Sequence, residues 1–411
     1  MGPWNSGRIN GVSPVHSGDD GQSAYCHILF SLKKELIMKK ILLGTTGLVA
    51  VALLATAASA ETPKVTLGGF SDFQAGWVSD DKDATTRSTG FRNDNEITIK
   101  VDGKTDGGLG YGAEIDLEAD TTNDVNNQGS NASRTFTYLD SKFGRVELGG
   151  NKSVASTMRI DASTVASATG GINGSWVNFV AGTNATQFIS TAKLPGEHGS
   201  TTAFGDETTY NATKVSYYTP KVMGFQGGVS YTPQIDGRGQ TLSRSETASV
   251  SDVVDLGLGY EGTFSGIKLA ASGTYEFGKG EGTAGTSGLG AKNINAWNLG
   301  ALAGYKGFSV AGSYGDWNRS GTATGGDLEV NGDYWTLGGA YAAGPVAVSA
   351  TYLDSELENN DFTNVVLGAE YKLAAGLTPY AEVSFYDFSV PGVSADDNSG
   401  TVFILGTQVA F

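Results

Sequence analysis

The chain has 411 residues, a formal net charge of −16, and 60 glycines against 9 prolines, with 17 tyrosines and 18 phenylalanines. That acidity excludes a phosphate-tracking nucleic-acid partner, which needs a basic surface. The single cysteine, Cys26, excludes a disulfide framework, and so much glycine and aromatic residue favours strands and turns over helices.

Residues 1–37 lack periodicity and precede a complete export signal, so they read as an over-translated or non-native extension. Met38, Lys39 and Lys40 form a basic start, residues 41–54 an apolar stretch, and Ala58-Ser59-Ala60 a small-residue cleavage site. Residues 38–60 therefore read as a signal peptide, leaving 61–411 as the exported domain. The first sixty residues hold five bases and three acids, so their removal takes −16 to −18. Beyond them no apolar run approaches the roughly 20 residues of a spanning helix. A membrane crossing must then be made by strands.

Alternation runs through the remainder. Val65, Leu67, Phe73, Ala75 and Trp77 share one face; Ile97, Ile99 and Val101 share another with Tyr111, Ala113, Ile115 and Leu117, across a turn at Asp106-Gly107-Gly108. A less regular strand covers Arg134 to Leu139. Similar apolar faces flank Phe143-Gly144, residues 221–224, Ser265-Gly266, Lys306-Gly307, Ala343-Gly344 and residues 373–376. The last strand alternates Phe403, Leu405, Thr407, Val409 and Phe411. The pattern predicts an all-β fold, a transmembrane antiparallel up-and-down barrel of about sixteen strands.

Short turns alternate with long polar links at residues 79–90, 120–133, 150–208, 233–251, 278–292, 316–331, 354–361 and 389–399. That asymmetry matches a meander crossing a bilayer, with short turns periplasmic and long loops extracellular. Aromatics such as Phe143, Phe225, Phe264, Tyr305 and Phe308 beside the short turns fit an interfacial girdle.

Two segments carry a family resemblance. Lys142-Phe143-Gly144-Arg145-Val146-Glu147-Leu148-Gly149-Gly150 resembles the second periplasmic turn of general bacterial porins, and residues 215–226, with Tyr217, Tyr218, Pro220 and Gly224-Phe225, resemble their next turn. With Phe411 as the assembly signal, the resemblance covers essentially all of 61–411. It implies a sixteen-stranded, water-filled outer-membrane barrel of Gram-negative bacteria, a homotrimer in contact with lipid and lipopolysaccharide, whose third loop folds into the lumen. Phe204-Gly205-Asp206 is similar to the acidic turn at the tip of that loop.

The strand phases locate a pore independently. An Arg or Lys facing lipid at the midplane costs about 2–4 kcal/mol, so the charged phase of each strand faces inward. Arg92, Lys100, Glu114, Asp116 and Lys214 are thereby placed on the pore wall. Arg134 joins them only if its strand offers Thr135, Thr137 and Leu139 to lipid; the other phase offers Phe136 and Tyr138. Residues 150–208 are too long for a hairpin and too rich in Trp and Phe for disorder, so they are expected to form a constriction loop. Asp161, Glu197, Asp206 and Glu207 are its acidic candidates, facing Arg92, Lys100, Arg134 and Lys214, although each acid singly is equally consistent with a solvated loop carboxylate. Opposed rows of acid and base would set a transverse field. At ~8 Å in water two unit charges interact by only about 0.5 kcal/mol, so selectivity should be graded, with a mild cation preference from the net charge.

The expected function is passive diffusion of small hydrophilic solutes and ions. A solute-specific channel is the main alternative, and a barrel adhesin or cell-wall tether a further one. Enzymatic activity is not expected, because the exported chain has a single histidine, His198, placed in the long loop. No cofactor or metal is expected beyond a loosely held divalent cation at Ser79-Asp80-Asp81-Lys82-Asp83 or Ala395-Asp396-Asp397-Asn398, which lack EF-hand spacing.

Overall fold

The structure, a computed structural model, describes residues 62–81, 87–119, 132–180, 192–198, 211–235, 249–281, 293–318, 320, 332–357, 360–390 and 397–411. Sixteen strands among them close into one antiparallel barrel. In chain order they are β1 (Lys64–Asp80), β2 (Thr89–Lys104), β3 (Gly110–Glu118), β4 (Ala132–Ser141), β5 (Gly144–Gly150), β6 (Thr213–Tyr218), β7 (Phe225–Gln234) and β8 (Ser249–Phe264). They continue with β9 (Ile267–Glu281), β10 (Ile294–Tyr305), β11 (Phe308–Asp316), β12 (Gly332–Ala343), β13 (Val346–Leu357), β14 (Asn360–Tyr371), β15 (Leu377–Ser389) and β16 (Asn398–Ala410). Each strand pairs with its sequence neighbours, and β1 closes on β16 through registers such as Asp72↔Gln408 and Trp77↔Phe403. Phe411 N donates to Gly69 O at 3.0 Å and accepts at its carbonyl from Gly69 N at 3.1 Å, extending that seam. Closure removes the unpaired edges that lipid cannot satisfy.

The two faces of the sheet are inverted relative to a water-soluble protein. Phe73, Trp77, Phe91, Leu258, Leu337 and Leu405 point outward and are exposed, while Gln74, Asp255, Glu276, Asn298 and Asn364 point inward and are fully buried. The expected short turns are present: Gly144, Gly224, Gly266, Gly307 and Gly376 each have φ between 76° and 122°, the left-handed region that glycine adopts without penalty. The irregularity of β4 comes from a register shift opposite Asp116/Leu117. Phe136 and Tyr138 are buried on the inner face, which settles the phase of β4 and turns Arg134 into the lumen.

One expected link is shorter than the sequence suggested. Residues 354–361 read as an acidic loop, yet β13 runs to Leu357 and β14 begins at Asn360. Asp354, Glu356 and Asp361 occupy the outward phase, while inward Leu357 and Phe362 are buried in an apolar cluster that keeps the strands paired.

The lumen is partly filled by chain from the expected long loop. Between β5 and β6 run α1 (Val154–Met158), 3-10 turns at Ala162–Val165, Gly171–Asn173 and Ser175–Phe179, and α2 (Pro195–His198). Backbone N–H groups inside a barrel need partners, and the inner wall supplies them in strand order. Val154 N donates to Ser230 Oγ on β7 (3.0 Å), Ile160 N to Ser272 Oγ on β9 (3.1 Å), and Ala162 N to Thr336 Oγ1 on β12 (3.1 Å). Ser167 N donates to Ser349 Oγ on β13 (2.8 Å), Ala168 N to Glu370 Oε2 on β14 (3.2 Å), and Thr169 N to Glu382 Oε2 on β15 (3.1 Å). Gln74 Nε2 on β1 then donates to Ser175 Oγ at 3.1 Å.

Inward glycines make room for this course. A Cβ on Gly338 would lie 2.7 Å from Ala162 O, and one on Gly368 would lie 2.8 Å from Ser167 O. Within the Ser175–Phe179 turn, Trp176 stacks between Phe362 (6.1 Å) and Tyr386 (5.9 Å), in a dry cluster with Ile172, Leu353, Val402 and Ile404. Gly338→Val should therefore lift the Ala162 turn from the wall and cost about 1–3 kcal/mol, read as earlier unfolding of a still-formed barrel in a denaturant series.

Candidate functional site

The described part of the inward chain covers the arc from β7 through β16 to β1, and among the described residues its helices and turns do not cover β2 to β5. A cavity of about 740 Å³ opens beside β3 to β5, bounded there by Glu114, Arg134, Phe136, Arg145 and Glu147, further round the wall by Tyr218, Gln226 and Glu261, and by Lys152, Thr157, Met158 and Ile160 of the loop. Register explains the wall's composition, because cross-strand partners share a face. Lys100 pairs with Glu114, Asp116 with Arg134, and Asp140 with Arg145, all in the inward phase.

Four bases on this wall each meet an acid. Arg92 lies 2.7 Å from Asp94, Lys100 3.7 Å from Asp102, and Arg145 2.6 Å from Glu147 and 3.9 Å from Asp140. Arg134 pairs with Asp116 and lies 3.9 Å from Glu114. The Arg145 guanidinium also sits 3.9 Å above the Tyr138 ring, a cation–π arrangement. The expected basic row is thus a mixed, internally compensated wall.

Arg92, Lys100, Glu114 and Arg134 lie in the inward phase of their strands, and Asp116 beside them is buried against Arg134. Lys214 requires correction. It faces inward but is buried, and its Nζ donates to the carbonyls of Asn151 and Ala212, holding the loop's base instead of meeting water.

Asp161 and Glu197 also require correction as an acidic pore face, since each is 3% exposed. Both are turned to Arg159, whose Nε donates to Asp161 Oδ2 at 3.2 Å and whose NH1 donates to Glu197. Asp161 also caps the turn that follows, accepting from Ser163 N at 2.8 Å. Burial alone would raise the Glu197 carboxyl, but Arg159 and Lys193 override it and hold the group below its ordinary value. Burial works against the Arg159 guanidinium too, yet the two carboxylates keep it firmly charged. Asp206 and Glu207 lie outside the described residues.

Sequence reasoning missed Asp94, Asp102, Arg145 and Glu147, although the period-2 rule that placed Arg92 and Lys100 also names them. Arg159 had no such signal, because it stands in a non-periodic segment. Among the described residues no group of three or more His, Cys, Asp or Glu side chains forms a metal site. Of the acidic segments singled out for a loose cation, Asp81 is engaged by Ser399 N (2.9 Å) and Oγ (2.8 Å), and Asp397 by Val390 N (2.7 Å).

The family model for Gram-negative porins matches residues 45–390. The chain belongs to that family. The porin is 28% identical over 451 aligned residues to an uncharacterized protein of Rickettsia felis, covering 91% of this chain and all of the relative, and equally identical to one from Rickettsia conorii over 455. Its fold is similar to that of an anion-selective porin from Comamonas acidovorans, with a TM-score of 0.58 and 17% identity across 85% of this chain and all of that one. A mutant of the Rh. blastica porin aligns over the same shares, with a TM-score of 0.54 and 17% identity. Family and fold make this porin a passive channel of the Gram-negative outer membrane.

The depressed Glu197 carboxyl gives a pH signature. Its contribution to stability is full above its ordinary value of 4.5 and is lost as pH falls through the lower folded value. The difference in melting temperature between the wild type and Glu197→Gln should stay constant from neutral pH down to about 4.5 and shrink below it.

Proposed function

We propose that this porin is a general diffusion pore for small hydrophilic solutes and ions, with a mild preference for cations. The supporting observation is the open wall, where Asp94, Glu96, Asp102, Glu114, Asp116, Asp140 and Glu147 outnumber Arg92, Lys100, Lys104, Arg134 and Arg145 in the inward phase. A wall of compensated pairs offers water-like polarity to many solutes and no single strong site. Its small acidic excess attracts cations weakly, because charges in a wet pore are screened.

The porin from Comamonas acidovorans is anion-selective. At 17% identity the two share a fold, and the sign of selectivity belongs to the lining side chains, which differ freely between such chains. Export through the 38–60 signal, with 61–411 as the working barrel and 150–208 as its constriction loop, completes this reading. So does assembly as a homotrimer in lipid and lipopolysaccharide. The outward aromatic patch of β1, β2 and β16 is the proposed contact between copies, where Phe73 stacks on Phe91 and Trp77 meets Phe403, each at 5.6 Å. A channel needs neither cofactor nor catalytic group, and none is assigned.

Reversal potentials of the refolded protein in a planar bilayer under a potassium chloride gradient should show potassium modestly favoured. A potential favouring chloride would overturn the proposed sign. Glu96→Gln with Glu114→Gln should lower the permeability ratio about fivefold, roughly twofold per charge, since each charge contributes roughly 0.5 kcal/mol in an aqueous pore.

A further inference from the structure

The inward loop has two limbs that must stay together inside a wide, wet lumen. The outgoing limb, from Asn151 to Val180, is sewn to the wall by its backbone N–H groups, as described above. The return limb, Ala192 to His198, has anchors of its own: Gly196 N donates to Glu276 Oε1 on β9 at 2.6 Å, and Lys193 O accepts from Trp317 Nε1 at 3.0 Å. Leu194 is fully buried with Ala155 of α1 against Val253, Ile294 and Ala296.

Arg159 stands between the limbs. Its guanidinium joins Asp161 on the outgoing side to Glu197 on the return side, and all three side chains are at least nine-tenths buried. The Ser156 hydroxyl adds a hydrogen bond to Glu197 from α1. The other Asp161 oxygen caps the Ala162–Val165 turn, so the ion pairs tie directly into the segment that follows the wall at β12. A buried triad of this kind is a poor source of net stability but punishes the loss of any one member, which strands a charge without water. It therefore enforces one arrangement of the limbs over others.

We propose that Arg159 is the positioning residue of the pore: by clamping Asp161 and Glu197 it makes the two limbs one rigid insert and so fixes a single aperture against the β2 to β5 wall. The proposal rests on the channel reading above. Arg159 acts through the loop's placement. Solute passing along the Arg134 and Arg145 wall meets the consequence of that placement, a constant width.

The test is single-channel recording of the full refolded protein in a planar bilayer, with barrel formation checked by heat-modifiable gel mobility. Wild type should show one ohmic conductance level. Arg159→Ala should lose it, giving several sublevels and excess open-channel noise, and Glu197→Ala should do the same. The double variant should be no noisier than either single one, because both remove the same link. Arg159→Lys, which keeps the charge, should retain the single level. A folded Arg159→Ala barrel with the wild-type level would overturn the proposal, as would additive effects in the double variant or a lysine variant as noisy as alanine. Should Arg159→Ala fail to form a barrel, Glu197→Ala against Arg159→Lys decides the matter alone. Silence from folded wild type would instead overturn the channel reading, so the two failures are distinguishable.

Discussion

A sixteen-strand barrel is too wide for its own side chains to fill, and the rest of this molecule answers that constraint. Closure satisfies every strand edge and permits an apolar exterior, but it leaves an interior that must hold either water or more polypeptide. Here it holds both. Chain inserted between β5 and β6 occupies the arc from β7 to β1 and forms a dry cluster around Trp176, while β2 to β5 keep a charged, open wall.

Inserted backbone brings its own requirement, since each buried N–H needs an acceptor. Ser230, Ser272, Thr336 and Ser349 provide hydroxyl acceptors along the route, and Glu370 and Glu382 provide carboxylates. Glycines at Gly338 and Gly368 lower the wall where the backbone crosses. The inner surface from β7 to β1 is thus shaped to its own loop, and the β2 to β5 wall is left to solute. The proposed function follows from that division: on this reading the bare wall sets charge selectivity, and the clamped insert sets width.

The strand phases were legible in the sequence because two independent forces act on each position. Lipid rejects charge from one face, and the pleat repeats every second residue, so Arg92, Lys100, Glu114 and Asp116 could be placed without coordinates. The length of residues 150–208 likewise announced an inserted loop. What could not be read was pairing across long separations. Arg159 and Glu197 are 38 residues apart in a segment without periodicity, so Glu197 looked like a free acid. Lys214 looked like a wall cation because nothing in β6 reveals that Asn151 and Ala212 turn their carbonyls onto it. Residues 354–361 looked like a loop because their outward acids conceal the inward burial of Leu357 and, just beyond, Phe362. The use of Gly338 and Gly368 as a floor for the loop emerges only when the loop is seen to cross them.

The central claim is that a continuous aqueous path of limited width runs beside the inserted loop. Osmotic swelling of liposomes carrying the protein, in a series of uncharged sugars of increasing size, tests it most directly. The account predicts rates that fall smoothly with solute size and are indifferent to stereochemistry. No swelling with the smallest sugar, or entry of one sugar while others of equal size are refused, would contradict it.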